Sequence, residues 1–242
     1  MPTFSHISAD RIEALTDMIF GLALSITAIQ LAFAPPNDEI EVVGYIAEFV
    51  VSFSLLIWIW MSYTRISERI TAEREEILLL NAGLLLVVSL EPYLLFIVWS
   101  GVFLGKDEVI LNLSSIAWSV DVAFMFLILG LMTRQGILHS QHRIPSEVSR
   151  DVRLLIYWRY LTAGLVALAV LPIFWSWSIV TTQLNDATPP TFIVLHARYF
   201  YWVVALVTSA IGAVWIGRRT ERAFTASGGD RRSDGGVDAD GA

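Results

Sequence analysis

Six stretches of this chain stay predominantly apolar for the length of a membrane crossing, and nothing else in it restricts the fold so much. They run over residues 12–34, 43–64, 77–100, 112–133, 154–180 and 196–217. A helix rises about 1.5 Å per residue, so about 20 such residues cross a hydrocarbon core about 30 Å thick. The expected fold is therefore an all-α membrane protein with six transmembrane helices per subunit. Composition agrees: 55% of the 242 residues are hydrophobic and 16% charged, where a soluble domain has about a quarter charged. The first segment is not read as a signal peptide. Acidic Asp10, Glu13 and Asp17 stand where a basic region belongs, and no small-residue cleavage site follows cleanly. With no cysteine, the chain holds neither a disulfide nor a thiolate metal site.

Orientation follows from arginine, because basic loops resist translocation. Arg65, Arg69 and Arg74 follow the second segment, Arg134, Arg143, Arg150 and Arg153 the fourth, and Arg218, Arg219 and Arg222 the sixth. The opposite loops carry Lys106 alone. Both termini are expected in the cytoplasm, and the protein in the cell membrane. Residues 1–222 form the six-span domain, and 223–242, rich in Gly, Asp and Arg, are expected to be a disordered tail. A formal charge of -7 spread over loops and tail points to no nucleic-acid partner.

Ionisable groups inside a span are costly and normally face protein or water. "RIEALTD" opens the first segment with Arg11 and Asp17. Six positions at about 100° each leave them roughly 120° apart around a helix, so they do not pair and their partners should come from other helices, the alternative being that Arg11 snorkels to the headgroups and Asp17 caps or hydrates an end. Trp60, Tyr63 and Asn81 lie at the same depth. For the two aromatics, a place in the interfacial belt fits as well as a place in a network. Further along, Leu22, Ile26, Ile29 and Phe33 recur on one face, with Ser25 beside them. No other span offers a long polar face, so rings of these side chains around an axis would form an apolar constriction.

Glu91, beside Pro92, and Asp121 lie near mid-membrane. Protonated, hydrogen-bonded carboxyls are favoured over a proton relay, since no third titratable group is expected at that depth. His6, His139, His142 and His196 sit in loops or at span edges and predict no metal site. A phosphate-binding glycine loop, a hydrolase nucleophile motif and the TVGYG filter are all absent. No enzyme and no cofactor are expected.

"RIEALTD" resembles the RxxxFSD signature of the transmembrane protein 175 family of endolysosomal and prokaryotic potassium channels. Arg11 and Asp17 match, Leu15 stands for Phe and Thr16 for Ser. The likeness continues through Ser52 and Phe53, Trp60, Asn81 and Pro92, with Tyr63 where relatives usually carry His. The resemblance implies a homotetramer in the lipid bilayer, the first helix of each subunit lining a central pore. Potassium ions would pass as permeant monovalent cations. Leu22 would be the main constriction, Ile26 and Ile29 further rings, and Ser25 would offer hydroxyls. Arg11, Thr16, Asp17, Trp60, Tyr63 and Asn81 would fix the pore helix to its neighbours. Two rival functions are a proton-coupled transporter using Glu91 and Asp121, and a non-conducting scaffold presenting its loops and tail.

Overall fold

The computed structural model describes residues 9–33, 39–67, 75–103, 108–140, 146–175, 178–183 and 192–230. Six helices dominate: α1 (Ala9–Phe33), α2 (Glu39–Ser67), α3 (Glu75–Phe103), α4 (Glu108–Ser140), α5 (Ser146–Leu168) and α6 (Ala197–Asp230). Between α5 and α6 lie a short 3₁₀ turn, Pro172–Phe174, and a hairpin of β1 (Ser178–Gln183) and β2 (Phe192–His196). All helices but α5 are long and apolar enough to cross a membrane. A backbone in lipid must satisfy its own N–H and C=O groups, which is why such apolar segments form helices. The chain is a multi-pass, all-α membrane protein with one small β-hairpin.

Helix α4 is the most enclosed and packs between α3 and α5, with α6 against α5 and touching α4 at Trp202. The other side of the bundle is α1 and α2, both against α3. Leu56, Ile59, Leu84, Val88, Met125 and Leu129 fill the centre. Trp58 meets Phe126 edge-on at 5.2 Å. Helices α1 and α6 are the most exposed of the five spans.

Two glycines let α5 dock. A Cβ on Gly130 of α4 would collide with the Tyr160 ring, and one on Gly212 of α6 with the Trp158 indole. The contact on the α6 side is fastened by Trp158 Nε1 donating to the Ser209 carbonyl at 3.2 Å and Thr162 Oγ1 to Ser209 Oγ at 2.7 Å. Near the start of α5, buried Asp151 pairs with Arg219 of α6 at 3.5 Å.

The fifth segment differs from the expectation of one helix over 154–180. Helix α5 starts earlier, at Ser146, and ends at Leu168. It carries Arg150, Asp151, Arg153 and Arg159, which keeps it below the apolarity of the other spans. Leu171, before Pro172, is extended at φ -67° and ψ 138°, as the proline ring demands of its predecessor. The β-branched run Ile179–Thr182 then pairs antiparallel with β2, Val180 opposite Leu195 and Gln183 opposite Phe192. Helix α6 also continues through Asp230, into the segment expected to be disordered. His6, Arg69, Arg74, Lys106, His142, Arg143 and the tail beyond Asp230 lie outside the described residues, as do the side chains of Phe33, His139 and Arg222.

Ala normally stabilises an exposed helix over Gly by about 1 kcal/mol. Gly212→Ala should nevertheless lower stability by about 1–3 kcal/mol through overpacking, whereas Gly217→Ala, with open space around it, should be neutral or stabilising. Thermal unfolding of both variants in detergent measures the difference.

Candidate functional site

The polar groups of the amino-terminal half gather into two layers that join α1 to α2 and α3. The first is built on Thr16, which is completely buried. Its Oγ1 donates to the Ile12 carbonyl one turn back at 2.8 Å and accepts from Asn81 Nδ2 at 3.1 Å. Tyr63 Oη lies 3.3 Å away. A threonine hydroxyl has one proton and two lone pairs. With the proton given to Ile12, Tyr63 must be the donor, and the Thr16 oxygen is saturated. Phe20 packs its ring 6.3 Å from that of Tyr63. Next to Thr16, the exposed Asp17 accepts from Trp60 Nε1 at 2.9 Å.

Thr16, Tyr63 and Asn81 are thus brought together, with Asp17 and Trp60 joined beside them. Arg11 is not. It is exposed, and among the described residues it makes no hydrogen bond or ion pair. Its direction explains this: at about 100° per residue it points away from Thr16, to the side that carries Leu22 and Ile29.

The second layer lies deeper. Ser52 Oγ donates to Glu91 Oε2 at 2.6 Å, and Trp118 Nε1 approaches Glu91 Oε1 at 3.5 Å. Thr27 gives its proton to the Ala23 carbonyl at 3.0 Å. Its 3.5 Å approach to Ser52 is therefore a contact with no proton to share. Gln30 Nε2 completes the tie by donating to the Pro92 carbonyl at 3.1 Å.

Glu91 is fully buried, and the expectation that it has no third titratable neighbour at its depth is wrong. Glu48 of α2 and Asp121 of α4, both buried, lie within electrostatic range of it. Asp121 Oδ2 has no hydrogen-bond partner. Glu48 was legible in principle: Tyr45, Glu48, Ser52, Leu55, Ile59 and Tyr63 recur at helical spacing as the buried face of α2. Among the described residues no cluster of His, Asp and Glu could hold a metal ion.

The apolar face of α1 turns outward. Ile12, Thr16, Phe20, Ala23 and Thr27 are its buried stripe. Leu22 is 59% and Ile29 48% exposed, and Ser25 is exposed too. By helical geometry these three point roughly 120–180° away from the buried stripe. Ile26 lies on the shoulder and is half-buried. Ser25 Oγ donates back to the Gly21 carbonyl at 2.8 Å, leaving its lone pairs outward.

Residues 11–92 match the family model of the endosomal/lysosomal potassium channel TMEM175. Over that stretch, about a third of its length, the chain is similar to the TMEM175 family. The match begins at Arg11 and ends at Pro92, so it contains the whole first layer and, of the second, all but Trp118 and Asp121. Helices α4 to α6 lie outside it. No curated protein and no solved structure matches the chain. The family so matched is one of potassium channels, and five helices of this chain are long and apolar enough to cross a membrane.

Thr16→Val keeps shape but leaves Asn81 Nδ2 and Tyr63 Oη without their acceptor, each orphaned group costing about 1–3 kcal/mol. Combining it with Asn81→Leu should destabilise by less than the sum of the single variants, because the second change removes a donor the first had orphaned. Unfolding of the four proteins in detergent gives the coupling.

Proposed function

We propose that this protein is a potassium channel in which four copies bring α1 together around a central axis. Conduction is passive. Leu22 forms the narrowest apolar ring, Ile29 a second, and Ser25 between them turns hydroxyl oxygens toward the ion. Ile26, half-buried within its own subunit, contributes less to the opening. Such apolar rings gate by excluding water. Arg65, Arg134, Arg150, Arg153, Arg218 and Arg219 gather at the Thr16 end of their helices, which supports cytoplasmic termini by the distribution of positive charge. No catalytic step and no cofactor belong to this reading, and the cell membrane is its place.

One observation carries it. The helix that bears the family signature is fastened on one face by buried polar bonds and leaves the opposite face, Leu22, Ser25 and Ile29, uncovered. Exposure alone would not suffice, since α6 is equally exposed and also held by buried polar bonds; α6 lies outside the matched stretch.

A second reading, a proton-coupled transporter, gains one supporting observation: buried Glu48 of α2 and Asp121 of α4 both lie within electrostatic range of Glu91 of α3, and such intramembrane carboxylates mark relays in transporters. One variant separates the readings. Purified protein in liposomes should release potassium down its gradient without a coupled ion, and Glu91→Gln should keep that flux; loss of flux in the folded Glu91→Gln protein favours the transporter.

Leu22→Ser should raise potassium conductance by wetting the narrowest ring, measured in planar bilayers alongside the oligomeric mass in detergent. An unchanged conductance moves the gate away from Leu22, and a stable monomer leaves no pore for α1 to line.

A further inference from the structure

At the other end of the bundle from Thr16, the first turn of α6 carries Arg198, which is completely buried. None of its three guanidinium nitrogens has a hydrogen-bond partner. An arginine does not deprotonate to escape burial, so its charge persists and has to be answered by something. The nearby Glu108 is in electrostatic range of His196, but among the described residues no carboxylate pairs with Arg198. The same chain shows what a satisfied buried arginine looks like. Arg159 gives Nη1 to the Leu129 carbonyl at 2.9 Å and to the Thr133 hydroxyl.

Two further groups beside Arg198, Tyr199 Oη and His196 Nδ1, are buried and make no hydrogen bond of good geometry, with Arg198 and Ser115 near the Tyr199 hydroxyl and the Trp175 backbone near the His196 ring. The Arg198 guanidinium carbon is 5.3 Å from the centre of the Tyr199 ring, and the His196 ring meets Tyr199 edge-on at 6.1 Å. All of these groups are able to donate. The start of α6 adds the positive end of the helix dipole and free backbone N–H groups, which aggravates the unpaired charge of Arg198 and favours an anion in the same place. Tyr199 packs at 5.3 Å against Trp202, itself 4.4 Å from Trp118, so the surroundings are aromatic and close, which favours a small ligand over a large one.

We propose that Arg198, Tyr199 and His196 form a binding site for a small inorganic anion of the size of chloride, which supplies the counter-charge of the buried guanidinium. The site is separate from α1 and does not depend on the channel reading.

The test is thermal unfolding of the full-length protein in detergent, followed by tryptophan fluorescence. Potassium chloride replaces potassium gluconate at constant ionic strength. Wild-type Tm should rise saturably with chloride, Arg198→Gln should abolish the response, and Tyr199→Phe should move its midpoint to higher chloride. Should Arg198→Gln fail to fold, Tyr199→Phe and His196→Ala carry the test, because both remove a donor and keep the charge. A wild-type Tm indifferent to chloride, or a chloride response undiminished in these variants, overturns the proposal. So does a flat wild-type response accompanied by equal destabilisation in Glu108→Gln and Arg198→Gln, which would give the counter-charge to a carboxylate of the chain.

Discussion

One hydroxyl, that of Thr16, determines how the amino-terminal helix sits. Its proton goes to Ile12, and its two lone pairs take hydrogens from Asn81 and Tyr63, so three helices meet at one saturated oxygen. Within a bilayer no water competes for these bonds, and a buried polar group is tolerated only where its partners stand. The faces of a helix are rigidly linked, so a bond that turns Thr16 inward also turns Leu22, Ser25 and Ile29 outward. The direction of the candidate pore face is therefore decided on the opposite side of the helix, by residues that never touch an ion.

The deeper layer adds a second point of attachment. Gln30 holds the Pro92 carbonyl, and Thr27 sits against Ser52, whose own proton serves Glu91. From Thr16 to Thr27 the helix rises about 16 Å. A helix held at two heights that far apart resists tilting as well as rotation. The second layer is acidic without a basic partner among its named members, and Ser52 and Trp118 are the donors that Glu91 receives.

Much of this was readable from residue spacing, and the failures have physical reasons. The five strongest spans stood out because lipid allows few alternatives to an apolar helix. Asp17 required a partner from elsewhere once its angle to Arg11 was known, and Trp60 filled that place. Arg11 misled because a motif fixes residue types but not the side of the helix on which each is useful. Glu48 was missed because one carboxylate in an otherwise apolar span draws less notice than one beside a proline; its place on the buried repeat of α2 held the missing signal. The end of α5 and the hairpin were missed because hydropathy averages over Pro172 and cannot distinguish a β-branched strand from a helix. Arg198 sits at the predicted edge of a span, where an arginine is expected to reach for water, and only packing shows that it does not.

If α1 lines the pore, its two attachments limit how the gate can open. Turning α1 by one residue's angle would carry Thr16 away from Asn81 and Tyr63 and leave buried donors without acceptors, at about 1–3 kcal/mol for each group. In a symmetric assembly that cost recurs in every subunit. Opening by rotation of α1 alone is thus opposed by many kcal/mol, whereas a small outward movement of whole subunits keeps every bond of both layers intact and widens the Leu22 ring. The polar layers make α1, α2 and α3 one mechanical body, so on the four-subunit reading the boundary that would yield is the one between subunits.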